Sequence, residues 1–239
     1  MSAGALYLVP VTLGGEDVAA AVPAAVRERV HALGYFIAEE PKRARAFLRA
    51  LGHPQPLGAL RLERLEAEPT AAALRRLIEP VLAGASAGVL SEAGAPAVAD
   101  PGALLVRHAH AAGVRVVPLV GPSAILLGLM ASGLDGQRFA FHGYLPIREP
   151  DLQARLRALE ADSRRERRTE IFIETPYRND RLLRAALATL APDTLLCVAA
   201  DLTLAAERIT TRSIRDWRAA PPTLGKHPAV FLLLAAGAR

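Results

Sequence analysis

Two turns rich in glycine and proline, each directly after a short apolar run, constrain the fold of this chain more than any other feature. The runs lie at 87–90 and 114–117, and the turns read Ser-Glu-Ala-Gly-Ala-Pro at 91–96 and Val-Gly-Pro-Ser-Ala at 120–124. Loops at the strand ends of α/β proteins bind small polar ligands. We therefore expect the segment 91–146 to carry a ligand site.

Apolar runs alternate with segments of helical spacing along the chain, which favours an α/β fold with parallel or mostly parallel strands. The predicted strands lie at 6–9, 35–38, 87–90, 114–117, 170–174, 194–199, 208–212 (an edge or hairpin strand) and 229–234 (a central strand). The predicted helices lie at 20–33, 44–51, 69–83, 104–112, 151–161 and 181–190, with another starting near 123. The pattern changes along the chain, and we expect two α/β domains, 1–119 and 120–239.

Composition indicates a globular chain, because 51% of the 239 residues are hydrophobic and 22% are charged. The single cysteine, Cys197, excludes an internal disulfide, and its apolar neighbours predict a buried strand. Residues 116–134 carry no charge, but Pro118, Gly121 and Pro122 interrupt them early, which favours a strand, a turn and a helix over a membrane span. No secretory signal is visible, so we expect a cytoplasmic location.

An excess of positive charge favours an anionic partner. The net charge is +5 and the isoelectric point is near 10.0. The arginines cluster at 155, 157, 164, 165, 167 and 168. Such a cluster could neutralise phosphates. The alternative is a solvated helix end and loop.

Several common chemistries lack their motifs. No Gly-Lys-Ser/Thr phosphate loop is present, and no Gly-x-Gly-x-x-Gly follows the first apolar run. The six histidines show no ligand spacing with cysteines or carboxylates, so we predict no metal site. Neither Ser91 nor Ser123 lies in a Gly-x-Ser-x-Gly sequence, which leaves a hydrolase poorly supported.

The order of the motifs resembles the tetrapyrrole methylase superfamily, and is most similar to a short form of its 16S rRNA (cytidine-2'-O)-methyltransferase branch. The matching segments are 6–10, 91–96, 100–102, 121–124, 132–134, 139–146 and 174–178. This resemblance covers nearly the whole chain. It implies two α/β domains with an S-adenosylmethionine cleft between them, and commonly a homodimer.

The resemblance also implies residues for the cofactor, whose adenine, ribose hydroxyls and amino-acid end need backbone groups that strand-end loops supply. The implied cofactor-binding residues are Pro10, Glu92, Ala93, Gly94, Pro96, Gly121, Ser123, Ala124, Thr175, Ala200, Pro228 and Ala229. Ser123 could instead cap the next helix. Glu92 replaces the usual aspartate and could bind the ribose hydroxyls.

Methyl transfer to a ribose hydroxyl requires that the acceptor lose a proton. The candidate catalytic residues are Glu39, Glu92 and Asp100, with Glu40 and His142 also beside loops. Glu39 could equally be a surface carboxylate, and Asp100 could cap the next helix. The candidate RNA-binding residues are Arg164, Arg165, Arg167, Arg168 and Arg178, of which Arg178 could instead form a structural ion pair.

Departures from the family pattern fall on other loops. Residues 11–16 read Val-Thr-Leu-Gly-Gly-Glu where Thr-Pro-Ile-Gly-Asn-Leu is usual, and residues 39–42 read Glu-Glu-Pro-Lys where Glu-Asp-Thr-Arg is usual. Gly225-Lys226 stands where Gly-Glu is typical, and the C-terminal extension of longer members is absent, which could weaken RNA docking. The main hypothesis is an S-adenosylmethionine-dependent methyltransferase of ribosomal RNA. The alternatives are a methyltransferase of a tetrapyrrole or other small molecule, and a non-catalytic cofactor-binding interaction protein.

Overall fold

The chain forms compact units, each built on one β-sheet with helices, which confirms the predicted α/β class. The computed structural model describes residues 4–15 and 17–237, so Glu16 in the first departing loop lies outside the described residues. The first unit ends at Ser123 and the second begins at Ala124. The domain boundary at 119/120 stays a prediction. Across 4–15 and 17–237, the structure contains no helix with the length and apolar character needed to span a membrane.

The first unit is an all-parallel sheet in the order β3-β2-β4-β1-β5. Its strands are β1 (Ala5–Val9), β2 (Tyr35–Ala38), β3 (Arg61–Arg64), β4 (Ala87–Leu90) and β5 (Arg115–Pro118). Its helices are α1 (Val18–Ala21), α2 (Ala24–His31), α3 (Pro41–Ala50), α4 (Ala71–Leu82) and α5 (Gly102–Ala111). Strand β3 was not predicted from the sequence, because its Arg-Leu-Glu-Arg sequence has no apolar run.

Prolines set helix boundaries that differ from the predicted ones. The predicted helix 20–33 is divided, because Pro23 lacks the amide hydrogen that helix α1 would need to continue and instead precedes α2. Helix α3 begins at Pro41 rather than at 44, since proline is favoured in the first turn and the Glu40 side chain accepts a hydrogen bond from the Lys42 amide at 3.1 Å.

Strands β1 and β4 are neighbours, but the chain leaves them in opposite directions, β1 toward β2 and β4 toward β5. Right-handed crossovers then place the following helices on opposite faces of the sheet. Side chains of α1–α3, such as Val26 and Leu48, form one buried cluster, and side chains of α4 and α5, such as Leu77 and Leu105, form another. The loops after β1 and β4 therefore flank a topological switch point, where ligands of α/β proteins bind.

The second unit has a mixed sheet in the order β6-β7-β10-β8-β9, in which the apolar β10 is central and β9 is at the edge, as predicted. Its strands are β6 (Phe139–Tyr144), β7 (Thr169–Ile173), β8 (Leu195–Ala200), β9 (Arg208–Ser213) and β10 (Ala229–Leu234). Its helices are α6 (Ala124–Ser132), α7 (Glu149–Glu166), α8 (Asn179–Thr189) and α9 (Ile214–Ala219), with a 3₁₀ turn at Pro176–Arg178.

The second sheet is covered on both faces. Helices α7, α8 and α9 pack over one face around stacked Phe172 and Phe231, whose ring centroids are 5.8 Å apart. Helix α6 lies on the other face. It packs closely against the sheet at Gly128, where an added Cβ would lie 3.5 Å from Leu232 Cδ1. Helix α7 extends beyond the predicted residue 161 to Glu166, so most of the arginine cluster is helical.

Candidate functional site

The loops that follow β1 and β4 are bonded to each other. The Val11 amide donates to the Gly94 carbonyl at 2.9 Å, and the Gly94 amide donates to the Val11 carbonyl at 3.2 Å. Gly94 has a φ of +71°, which other residues rarely adopt, and a Cβ there would lie 3.1 Å from Leu13 Cδ2. The predicted turn 91–96 is thus hydrogen-bonded to the loop after β1, which departs from the family pattern.

A cleft of about 600 Å³ opens in the first unit beside these loops. It is lined by residues 11–15, by Val18, by the α3 residues Arg43, Ala44, Ala46, Phe47, Arg49 and Ala50, and by residues 91–93. Its volume lies in the range of small-molecule sites in proteins. Glu92 and Ala93 line this cleft, and their role toward a cofactor stays a prediction, whereas sequence analysis missed the contribution of α3.

Glu92 forms an ion pair with Arg43, whose Nη1 lies 3.1 Å from Glu92 Oε2. Both side chains are more than half exposed, at 51% for Glu92 and 65% for Arg43. Exposed pairs of this kind contribute about 0 to 1 kcal/mol to stability. Either side chain can therefore leave its partner for a polar ligand at little cost.

Glu39 lies directly after β2 and is half-buried. Burial raises the pKa of Glu39 from 4.5 to about 7, and the negative charges of Asp100 and Glu92 add to that increase. The other two predicted catalytic carboxylates, which share the loop between β4 and α5, thus act on Glu39 from a different loop. A carboxylate with a pKa near 7 has the acidity that suits a general base at neutral pH.

Asp100 is held by its own loop. Its Oδ1 accepts hydrogen bonds from the Ala97 amide at 2.8 Å and the Gly102 amide at 2.7 Å. Burial raises the pKa of Asp100, and these two hydrogen bonds oppose the increase. A Cβ at Gly102 would lie 2.7 Å from Asp100 Oδ1, which explains the Asp-Pro-Gly sequence. This arrangement favours the structural interpretation of Asp100 over the catalytic one.

Gly121 lies against Pro10, since a Cβ at Gly121 would be 2.2 Å from Pro10 Cγ and 2.4 Å from Pro10 Cβ. The loops after β1 and β5 therefore approach as closely as a glycine permits. Pro96 is buried in the same unit, Ser123 is its last residue and Ala124 begins α6 of the second unit. Their roles toward a cofactor stay predictions.

In the second unit, the structure brings together Thr175, Ala200, Pro228 and Ala229 at one end of the sheet. Ala200 and Ala229 are partners in the β8–β10 ladder, and Val230 is paired with Ile173 just before the 3₁₀ turn. The Asp201 amide donates to the Pro228 carbonyl at 3.0 Å.

Two polar side chains near this end of the sheet were missed by sequence analysis. Asn179 is fully buried and donates from Nδ2 to the His227 carbonyl at 2.6 Å. Its Oδ1 is buried and makes no hydrogen bond within residues 4–15 and 17–237. The His227 ring places Nδ1 2.8 Å from Oδ2 of buried Asp201. No local sequence pattern identified either residue, because their partners lie far away in the chain.

The predicted RNA-binding arginines fall into different environments. Arg165 contacts Asp162 at 2.5 Å and Glu166 at 2.8 Å, Arg168 contacts Glu170 at 2.8 Å, and Arg178 contacts Glu174 at 2.6 Å. Arg164 is exposed and makes a 3.4 Å hydrogen bond to the Ala236 carbonyl, and exposed Arg167 ends α7 with a φ of +52°. Arg164 and Arg167 are therefore the most available for phosphate.

Arg168→Ala is expected to lower the free energy of unfolding by about 3 kcal/mol, because it removes a partner from a fully buried carboxylate. Glu170 is completely buried, and its other oxygen lies 2.5 Å from His142 Nε2. Urea unfolding would measure the loss. Arg164→Ala serves as the control and should change stability by less than about 0.5 kcal/mol. Equal stability of the two variants would show that the Arg168 pair contributes little.

Comparison with known proteins agrees with this arrangement of loops. The family model described as Tetrapyrrole (Corrin/Porphyrin) Methylases matches residues 5–217. The structure is similar to the methyltransferase CobJ, with a TM-score of 0.64, 20% identity and coverage of 98% of this chain and 95% of that one. It is also similar to diphthine synthase, with a TM-score of 0.66, 15% identity and coverage of 96% and 89%.

Curated relatives are named Ribosomal RNA small subunit methyltransferase I. The chain is 38% identical to the one from Xylella fastidiosa over 166 residues, which cover 70% of this chain and 58% of the relative. It is 30% identical to the one from Pasteurella multocida over 233 residues, which cover 96% and 79%. The chain spans less than two thirds of the length of the first relatives it matches, at 58% and 59%. Since the family model extends over most of the sequence, the chain belongs to the tetrapyrrole methylase family.

Proposed function

We propose that this protein is an S-adenosylmethionine-dependent methyltransferase that acts on ribosomal RNA at a ribose 2'-hydroxyl. Family membership and relatives named as ribosomal RNA methyltransferases support the reaction class and the substrate. The observation that carries the proposal is Glu39, a half-buried carboxylate directly after β2 whose pKa is raised to about 7 by burial and by the negative charges of Asp100 and the cleft residue Glu92. A ribose hydroxyl needs such a group, because it is a poor nucleophile while it keeps its proton.

The residues present fit the chemistry of S-adenosylmethionine. The cleft combines the glycine backbone at 14–15 with the carboxylate of Glu92, which can accept from hydroxyl or ammonium groups. In the second unit, buried Asn179 Oδ1, which has no hydrogen-bond partner among the residues that the structure describes, lies close in sequence to Thr175, one of the proposed cofactor residues. We propose that Glu92, Ala93 and Gly94 of the first unit and Thr175, Ala200, Pro228 and Ala229 of the second contribute to binding.

Glu39 acts as general base in the proposed mechanism. When bound, the cofactor supplies an activated methyl group on a sulfonium. Glu39 accepts the proton of the acceptor hydroxyl, and burial, together with the neighbouring charges of Asp100 and Glu92, keeps its pKa high enough for that transfer at neutral pH. Arg43 is released from Glu92 with little loss of stability, and its guanidinium can then hold a phosphate of the acceptor strand.

Methylation of RNA is tested with labelled S-adenosylmethionine and ribosomal RNA from a strain that lacks this gene. We expect label in small-subunit ribosomal RNA, at a ribose, after nuclease digestion. Label in a tetrapyrrole but not in RNA would instead support the small-molecule alternative. Measurable cofactor affinity in calorimetry with no label on any acceptor would support the interaction protein and contradict the proposal.

Salt dependence tests the arginine cluster. Replacing Arg164 and Arg167 together by alanine should flatten the slope of log affinity against log salt by about 1.4 for single-stranded RNA, because each phosphate contact contributes about 0.7. Filter binding at several salt concentrations measures the slope. The double variant Arg184→Ala, Arg215→Ala removes the same charge from other exposed positions of the second unit and should leave the slope unchanged. Equal slopes in the two double variants would show that the arginine cluster does not contact RNA phosphates and is a solvated surface.

The homodimer stays a prediction from family resemblance. Analytical ultracentrifugation of the chain at micromolar concentration would measure its oligomeric state.

A further inference from the structure

An exposed tyrosine pair marks one end of the second sheet. Tyr144 ends β6 and is paired with Ile173 at the end of the parallel strand β7. Tyr177 follows in the 3₁₀ turn after β7, and Lys226 lies just before β10, which runs antiparallel to β7. The ladder therefore brings both tyrosines and Lys226 to the same end of the sheet.

The exposure of these rings distinguishes them from the other tyrosines. The chain has four tyrosines. In the first unit, Tyr7 packs against a core cluster and Tyr35 is 4% exposed. In the second unit, Tyr144 is 58% exposed and Tyr177 is 79% exposed. A single exposed apolar side chain needs no explanation, but two aromatic rings at one sheet end form a surface that can bind a flat ligand.

Cationic side chains accompany both rings. Lys226 Nζ lies 5.3 Å from the ring centroid of Tyr177, at cation–π distance. Arg178 follows Tyr177 in the same 3₁₀ turn, at the sheet end where β6 finishes with Tyr144, and brings a second cationic side chain to that end. Aromatic rings interspersed with cations are typical of surfaces that bind single-stranded nucleic acid.

The turn that carries Tyr177 is held in place before any ligand binds. The Thr175 amide donates to Glu174 Oε1 at 2.6 Å, and the Arg178 amide donates to the Thr175 carbonyl at 2.9 Å. Arg178 Nη2 closes the turn on the same Glu174 oxygen at 2.6 Å. Pro176 further restricts the backbone. A base that stacks on Tyr177 therefore need not order this turn, which lowers the entropic cost of binding.

We propose that Tyr177 and Tyr144 stack unpaired bases of the RNA substrate and that Lys226 contacts a neighbouring phosphate. RNA as the ligand rests on the proposed function, whereas the stacking site rests on the geometry of the second unit. Every base presents a π face, so the site accepts different bases and contributes affinity more than sequence specificity. Substrate then reaches this end of the sheet as a loop or single strand, since paired bases cannot stack on the rings.

Binding of two matched oligonucleotides tests the stacking. The probes are an unstructured 10-nucleotide RNA and an abasic oligomer of the same length and charge, each titrated into the full chain. We expect the wild type to bind the RNA about tenfold more tightly than the abasic oligomer. Tyr177→Ala should abolish that difference, and Tyr177→Phe should retain most of it because the ring is kept. Phe139→Ala, at the opposite end of β6, is the matched aromatic control and should behave as the wild type.

Fluorescence gives a second readout that a purely structural role would not change. The native Trp217 is 4% exposed, so the added signal of Tyr177→Trp reports the exposed position. Base-containing RNA should quench that signal, and the abasic oligomer should not. If Tyr177→Ala keeps the preference for bases while the wild type methylates RNA, the stacking site is wrong and the proposed function stands. If the preference depends on Tyr177 but no RNA is methylated, the stacking site is supported and the proposed function is wrong.

Discussion

Gly121→Val is expected to reduce S-adenosylmethionine binding below detection while the chain remains folded. A Cβ at this position would lie 2.2 Å from Pro10 Cγ, so the loops after β1 and β5 must move apart by more than an ångström. Forcing extra atoms into a packed contact costs about 1 to 3 kcal/mol, which a domain of this size tolerates. Isothermal titration calorimetry measures the affinity, and circular dichroism measures the fold.

Gly58→Val is the matched control for this variant. Gly58 lies in the same unit, and a Cβ there meets no atom within 4 Å, so the substitution adds the same side chain without a steric conflict. We expect cofactor affinity close to that of the wild type. If Gly121→Val also binds the cofactor with unchanged affinity, the Pro10–Gly121 contact does not position the cofactor site.

Glu39→Gln should lower kcat for methylation by at least about 100-fold, the contribution of a general base, while cofactor affinity changes little. In the wild type, burial and the charges of Asp100 and Glu92 place the pKa of Glu39 at about 7, so kcat should fall as the pH drops below 7 and the carboxylate becomes protonated. The variant should lose that pH dependence. Single-turnover rates between pH 5.5 and 9 measure both effects.

Glu39→Gln should raise the stability of the protein at alkaline pH, although it lowers kcat. The folded state holds the Glu39 proton more tightly than the unfolded chain does, since the pKa rises from 4.5 to about 7 on folding. The free energy of unfolding therefore falls as the pH rises from about 4.5 to 7, and the full cost persists above pH 7. Glu39→Gln removes this cost, so we expect it to be more stable than the wild type at pH 8.

Glu40→Gln provides the control for both measurements. The Glu40 carboxylate accepts a hydrogen bond from the Lys42 amide and caps α3, so its role is structural. We expect a kcat close to that of the wild type and a small loss of stability. A kcat that falls in Glu40→Gln but not in Glu39→Gln would show that Glu40, and not Glu39, is the general base.

Local sequence was sufficient for most of the fold. The strands at 35–38, 87–90 and 229–234 lie where apolar runs predicted them, and Gly94 adopts the positive φ that a turn after a strand requires. The errors are also local in origin: Pro23 divides a predicted helix, and charged β3 has no apolar signal. The order of motifs identified the family, which the match over residues 5–217 confirms.

The candidate site depends more on tertiary structure. Sequence placed Glu39 after one strand and both Glu92 and Asp100 in the turn segment after another, and it favoured none of the three. Only the tertiary structure shows that Asp100 accepts hydrogen bonds from two backbone amides while Glu39 is half-buried beside negative charge. The arginine cluster likewise looked uniform, yet Arg168 is paired with a buried carboxylate and Arg167 is exposed.

The sequence by itself determined the α/β class, the strand-end turns and the family, because these follow from short-range periodicity, turn geometry and motif order. Only the tertiary structure decided which carboxylate has a pKa near 7, which arginines are available for phosphate and that Tyr144 and Tyr177 share one end of a sheet. The physical reason is that desolvation and charge pairing depend on atoms brought together from distant parts of the chain, which no local pattern encodes.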